Sequence, residues 1–217
     1  MTQPHPAFSR PQRLVLDGRY CRLEPINVAH APDLYAATSG EGEADRYRWL
    51  FDAPPADEAG LSAAIAAAAT QDDPLHFAVI NLSTGRAAGR QALMRMVPEH
   101  GVIEIGAVQW GRGIAKTRLA TEALYLFAQY AFETLGNRRF EWKCNALNEP
   151  SRRAAARFGF TYEGIFRQHM IIKGENRDTA WFSILDSEWR RLKGGYEAWL
   201  APENFDADGN QIAKLAL

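Results

Sequence analysis

The sequence predicts one α+β domain, a mixed and mostly antiparallel sheet flanked by helices. Three observations carry that expectation. Strand-like stretches between Leu75 and Trp110 are separated only by turn residues, which reads as a meander. A helical period then takes over from Thr117 to Leu135, with Ala120, Leu124, Phe127, Ala131 and Leu135 on one face. No internal repeat or linker divides the chain, so a single core is expected.

Each element has its own local reason. Residues 1–13 read as a flexible arm, 14–200 as the domain and 201–217 as a tail held by packing. RYCRLE (Arg19–Glu24) alternates polar and apolar residues at period two, a half-buried strand. Asn27 caps a short helix carrying Ala31, Leu34 and Tyr35. The irregular stretch SGEGEADRYRWLFDAPP follows, and its aromatic residues Tyr47, Trp49 and Phe51 are either pinned to the core or the wall of a cleft around Arg46–Phe51. Asp57 opens an Ala-rich helix to Thr70. Strands are expected at Leu75–Ile80, Arg86–Val97 and Val102–Trp110, with turns at Ser83–Gly85 and Pro98–Gly101. Beyond the long helix, which Gly136 ends, Arg139–Cys144 is a strand. Asn148 caps a short helix that Gly159 closes. Phe160–Arg167, Gln168–Lys173 and Thr179–Leu185 read as three further strands, and a last helix holds Trp189, Leu192 and Trp199.

Composition narrows the class of function. The 217 residues include 25 Lys and Arg against 26 Asp and Glu, a formal net charge of -1, with 47% hydrophobic and 24% charged residues. That balance suits a soluble globular protein and lacks the basic surplus of a nucleic-acid wrapper. MTQPHPAFSRP has neither the charged nor the apolar stretch of a signal peptide, and the apolar run Ala63–Ala69 falls far short of the roughly 20 residues that span a bilayer. Cys21 and Cys144 form no disulfide scaffold. A cytoplasmic location without membrane contact is expected.

Most motif readings fail. GRGIAKT (Gly111–Thr117) ends like a phosphate loop but has Trp110 and Ala115 where that loop needs glycine. As a dinucleotide fingerprint it has Lys116 at a glycine position. The five histidines are scattered, no zinc spacing or GxSxG elbow exists, and Asp206–Gly209 lacks the remaining ligands of a calcium loop, so no metal is expected. What survives is a strand that runs through a Gly/basic loop into a helix start. Unpaired N–H groups there favour phosphate, with Arg112, Lys116 and Arg118 adjacent, unless these are simply solvated cations beside a cap.

The later text, ATEALYLFAQYAFETLGNRRFEWKCNALNEPSRRAAARFGFTYEGIFRQHMIIKGENRDTAWFSILDSEW, resembles the GNAT superfamily of acyl-CoA N-acyltransferases. It lies nearest the branch of ribosomal-protein serine and alanine N-terminal acetyltransferases. The ordered pieces are Ala120–Ala123, Asn148 with Ser151, Gly159–Phe160, Glu163–Gly164 and Arg177–Asp178, and the resemblance runs from about Arg13 to Trp189. It implies acetyl-CoA as co-substrate, with its pantetheine in a splayed gap between Val102–Trp110 and Arg139–Cys144. Backbone of Val108, Gln109 and Trp110 would pair with the pantetheine. Ala115, Lys116, Thr117, Arg118, Leu119 and Ala120 would cradle the pyrophosphate, and Asn148 and Ser151 would touch the donor. The sequence departs from the family loop at Ala115 and Arg118, where Arg or Gln and then Gly are usual; Arg118 would itself contact phosphate.

Amide formation from a thioester needs a neutral amine, a stabilised oxyanion and a proton for the departing thiolate. The resemblance places Ser151 near the donor sulfur and, since residues 149–159 hold none of the tyrosine that many members use on this helix, implies Ser151 as the candidate for that proton; the alternative is a hydroxyl bonded to backbone in the first helical turn. Glu104 either takes the amine proton through water or sits on a polar strand face. His169 is either a second titratable candidate, placed with Tyr47 and Trp49 on the acceptor side, or a histidine on a strand surface, while Tyr162 and Cys144 read as core or cleft lining. Without a strong base, an α-amine of pKa near 7.7–8.0 is favoured over a Lys side chain near 10.4. The expected function is transfer of an acetyl group to a primary amine, at a peptide N-terminus or on a small molecule. The alternative is an acyl-CoA-binding protein without turnover, acting as sensor or structural subunit. Exposed strand and helix edges leave room for a homodimer.

Overall fold

The computed structural model describes residues 8–39 and 47–217. Their strands are β1 (Leu16–Asp17), β2 (Cys21–Pro25), β3 (Leu75–Asn81), β4 (Arg86–Val97), β5 (Val102–Trp110), β6 (Arg139–Asn145), β7 (Thr161–Ile172) and β8 (Glu175–Leu185). They form one sheet in the order β1-β2-β3-β4-β5-β6-β8-β7. Its neighbours are antiparallel except β5 and β6, which run parallel. The helices are α1 (Ala31–Thr38), α2 (Glu58–Ala69), α3 (Arg118–Gln129), α4 (Glu149–Arg157) and α5 (Asp186–Leu200). The α+β class and the mostly antiparallel sheet read from the sequence are therefore what the chain forms. None of the described helices is long and apolar enough to cross a membrane.

Strand alternation distributes the core over both sheet faces. Phe77 and Val79 of β3 join the larger cluster under α3 and α5, whereas Ala78 and Ile80 turn to Leu34 of α1 and Leu61 and Ile65 of α2. The caps act as their residue types dictate: Asn27, Asp57, Thr117 and Asn148 each accept a backbone N–H from the turn they open. Residues 9–13 lie against the domain, with the Ser9 N–H on the Leu135 carbonyl and the Gln12 N–H on the Tyr130 hydroxyl. In the tail, Leu215 and Leu217 pack on the larger core.

Two local expectations are revised. The break at Arg167/Gln168 is a bulge inside one strand, β7. Gln168 takes φ +50° and gives its N–H to Asp178 Oδ1 at 2.7 Å, and the pairing register shifts between Phe166 and Met170. The turn comes later, at Lys173 and Gly174, both with positive φ as a two-residue hairpin turn requires, so β8 begins at Glu175. The long helix is also not one-faced: every residue from Ala120 to Ala128 is buried. α5 covers its outer side, with Tyr125 stacked on Trp189 at 6.0 Å and tilted against Tyr196 at 5.7 Å. Its last turn, Tyr130–Thr134, widens into a π turn.

Buried Glu122 anchors α3 to the N-terminal strands. Its carboxylate accepts the backbone N–H groups of Arg19, Tyr20 and Cys21, each at 2.7 Å. A Cβ at Gly18 would meet that carboxylate at 2.7 Å and the Cys21 carbonyl at 2.6 Å, so the approach requires glycine.

The sheet divides between β5 and β6. Their pairing runs from Val102↔Arg139 to Ile105↔Trp142 and goes no further. Beyond it β5 stays with β4 as far as Gly89↔Trp110, and β6 stays with β8 as far as Asn145↔Thr179. Ala107, at φ +48°, marks the bulge in β5 where the two halves diverge.

Candidate active site

The divergence opens a cavity of about 410 Å³. At one end lie Val108, Cys144, Asn148 and Ser151. Asn148 is the α4 N-cap, and its Oδ1 takes the Ser151 N–H at 3.2 Å, which fixes the serine in the first turn. Trp142 Nε1 donates to Ser151 Oγ at 2.9 Å. That bond fills one lone pair of the hydroxyl and leaves its proton for another acceptor. The neighbouring Cys144 thiol is pushed up by burial, while Ser151, Arg177 and Arg152 pull it the other way.

The other end is polar and crowded with cations. Glu104 is 4% exposed, with Lys143 Nζ at 2.9 Å and Arg95 Nε at 3.3 Å. Burial raises its pKa against the pull of these two cations. Lys143 also contacts Glu141 and lies over the Trp181 ring at 3.8 Å. Arg90 gives Nε to Gln109 Oε1 at 2.9 Å and a terminal nitrogen to Asp52 at 3.2 Å. His76 is lowered to about 4 by burial and then by Arg90, so it is neutral at pH 7. His169 Nδ1 meets Thr179 Oγ1 at 2.9 Å; burial first, then Arg95, Arg177 and Lys143, lower its pKa. Lys173 Nζ donates to the Tyr47 carbonyl at 2.8 Å, tying the β7–β8 turn to the loop that carries Trp49 and Phe51.

Of the residues singled out from sequence, Glu104, Val108, Asn148, Ser151, Trp49 and His169 converge on this cavity. Tyr47 does not. It is 2% exposed and bonded through its hydroxyl to Ser39 at 2.6 Å, so its ring supports the loop from inside. Arg46 lies outside the described residues. The Gln109 side chain turns to Arg90, and Trp110 gives Nε1 to Gln91 Oε1 at 3.0 Å. Their strand edge faces the gap, since β5 has no partner there beyond Ile105. Ala115, Lys116, Thr117, Leu119 and Ala120 form the loop and helix start past the cavity. Ile114 is fully buried beneath this loop, and Thr117 Oγ1 takes the Leu119 N–H at 3.2 Å. Arg118 is committed elsewhere: its guanidinium lies over Tyr20 at 4.4 Å and Phe205 at 5.0 Å. Sequence reasoning missed His76, Arg90, Lys143 and, as a site residue, Arg177. The signal available for Arg177 was its place two residues before Thr179 on one face of β8.

Residues 21–161 match the acetyltransferase (GNAT) domain family. The chain belongs to the GNAT acetyltransferase family, whose members are group-transfer enzymes. It is similar to a GCN5-related N-acetyltransferase from Brucella melitensis, at 55% identity and TM-score 0.96 over 99% of this chain and 97% of that one. A probable GNAT-family acetyltransferase from Chromobacterium violaceum matches at 35% identity and TM-score 0.80, over 88% and 95% of the two chains. An uncharacterized N-acetyltransferase, p20 of Bacillus licheniformis, is 30% identical over 117 residues, 52% of this chain and 63% of that protein, so the match spans less than two thirds of p20. The Salmonella typhimurium enzyme that modifies the N-terminal serine of a 50S ribosomal subunit protein matches at 16% identity and TM-score 0.68, which shows a shared fold alone.

Proposed function

We propose that this protein transfers an acetyl group from acetyl-CoA to a primary amine by direct attack on the thioester. The observation that carries the proposal is the unpaired β5 edge facing Ser151 across a gap that opens into a polar pocket. A sheet that parts between two neighbouring strands leaves backbone donors and acceptors for an extended amide-bearing chain. The residues present therefore fit a pantetheine: the β5 edge at Val108–Trp110 would hold it, Asn148 and Ser151 would flank its sulfur end, and the Ala115–Ala120 helix start would meet its phosphates. When bound, acetyl-CoA supplies the activated acyl group.

The chain's own residues do the rest. Backbone N–H groups on the β5 edge face the developing negative charge. Ser151, with its oxygen held by Trp142, passes its proton to the leaving sulfur and takes one back from solvent. Glu104 receives the amine proton through water. The acceptor is an amine partly neutral near pH 7, an α-amine at a peptide N-terminus or a small-molecule amine.

Calorimetric titration with acetyl-CoA, with ATP as control, followed by thiol release in the presence of amines, tests this reading. Micromolar acetyl-CoA binding with amine-dependent thiol release supports it. Binding without release for any amine returns the protein to the non-catalytic reading, and no binding refutes the donor site. A peptide with a free N-terminus should be acetylated faster than an N-terminally blocked peptide carrying one Lys; the reverse order refutes the α-amine preference.

A further inference from the structure

Six ionisable groups other than histidine and cysteine line the cavity: Arg90, Arg95, Lys143 and Arg177 against Asp52 and Glu104. Three of the four cations have a carboxylate within ion-pair distance: Arg90 with Asp52, Arg95 with Glu104, Lys143 with Glu104 and Glu141. Arg177 has none among the described residues. It is 7% exposed, its guanidinium lies 5.0 Å from the Phe51 ring centroid, and its Nε is buried without a hydrogen-bond partner. A buried guanidinium without an ion-pair partner is costly in a folded protein and gains most from an oxyanion that matches its fork.

We infer that the amine acceptor is a small molecule bearing its own oxyanion, which Arg177 receives. This rests on the reading of the site as an amine acetyltransferase. Phe51, with the Arg177 guanidinium against its ring, lines the cavity, whose volume of about 410 Å³ is to be shared by the thioester end and the acceptor. What remains suits a compact molecule. The charges also set the acceptor's protonation. A carboxylate near an ammonium holds the proton on the amine; pairing that carboxylate with Arg177 removes the hold, and Arg95 and Lys143 disfavour a further positive charge. The bound amine is thereby driven toward its neutral, nucleophilic form, and Glu104 has only to receive the proton it releases. The same lining rejects diamines.

The test uses the full-length protein loaded with acetyl-CoA and a panel of free amino acids, the same amino acids as carboxamides, aminoalkylphosphonates and simple diamines. Thiol release is expected from carboxylate- or phosphonate-bearing amines, with kcat/KM about 10–100-fold above the matched carboxamides, the range of a charged hydrogen-bonded contact. The carboxylate and phosphonate arms identify which oxyanion the fork takes. Arg177→Met should abolish the preference through KM, and Arg177→Lys, which keeps the charge and loses the fork, should retain part of it. The wild-type ratio needs no variant, so a misfolded mutant does not spoil the test. Carboxamides or diamines turned over as well as the acids, or no oxyanion-bearing amine turned over while acetyl-CoA binds, overturns the inference. Failure of acetyl-CoA to bind overturns the underlying reading instead.

Discussion

Replacing Ser151 by Ala removes one oxygen and separates chemistry from architecture. The lost atom accepts the Trp142 indole N–H at 2.9 Å, and Trp142 is 5% exposed, so a buried donor is left unsatisfied. That costs about 1–3 kcal/mol of stability. In a chain of this size it lowers Tm by about 2–12 °C, at roughly 2–4 °C per kcal/mol. The catalytic effect is worked separately. Proton transfer from a positioned acid contributes about 10²–10⁴ in rate. A thiol with pKa near 8.5 leaves tolerably as an anion, which puts the loss at the low end, about 10²-fold in kcat or about 2.7 kcal/mol of barrier. Thiol release at saturating amine measures kcat, and calorimetry measures the acetyl-CoA Kd, which should move little. Trp142→Phe keeps the hydroxyl and removes the group that orients it, so a loss of about tenfold or less in kcat is expected. That loss should vanish when Trp142→Phe is made in the Ser151→Ala background, because the indole acts only through the serine. A Ser151→Ala enzyme within about threefold of wild-type kcat, or one whose whole deficit lies in donor affinity, would falsify the proton-donor role.

Three further outcomes follow from the geometry. Glu122→Ala strands three backbone N–H groups at once, so an equilibrium unfolding experiment should show about 3–5 kcal/mol lost; a change under about 1 kcal/mol would mean water replaces the carboxylate without penalty. His76 is held near pKa 4 in the fold against 6.5 unfolded, so between those values the unfolded chain binds more protons and stability is lost as pH falls through that window. The contribution is about 3 kcal/mol at full depth, and His76→Gln should flatten the acid side of a Tm-against-pH curve; an unchanged slope would contradict it. In the proposed role as base Glu104 acts only when ionised, so its raised pKa should set the acid limb of the kcat/KM profile. Glu104→Gln should remove that limb and lower kcat by about 10²-fold; persistence of the limb assigns it to another group.

Much of the fold was legible because local rules and global topology agree in this chain. β4 and β5 fall at the bounds that alternation and turn residues assign, and Thr117, Asn148 and Gly159 mark helix ends through cap chemistry. The misread hairpin has a physical reason. The polar run Arg167–Gln168 looks like a turn, yet Asp178 on the opposite strand satisfies the bulged Gln168 N–H, while the true turn at Lys173–Gly174 sits beside the apolar Ile171 and Ile172.

Asn148 and Ser151 were legible as one helix start, and Val108–Trp110 as one strand, for the same reason. The cationic part of the cavity was not. His76, Arg90, Lys143 and Arg177 come from four strands and meet only through sheet order, and a net charge of -1 conceals the local surplus of cations. On a strand, alternation alone cannot distinguish a cation aimed at a cavity from one aimed at water. Arg139 and Arg177 lie on the same face of the sheet. Arg139 grips Glu163 with both terminal nitrogens and Glu141 through Nε, whereas Arg177 is buried with its Nε unpaired. The first arrangement is complete within the fold, which is the mark of a structural ion pair. The second has no carboxylate partner among the described residues, and that difference in partners, invisible in the residue type, separates the arginine proposed to bind the acceptor from the structural one.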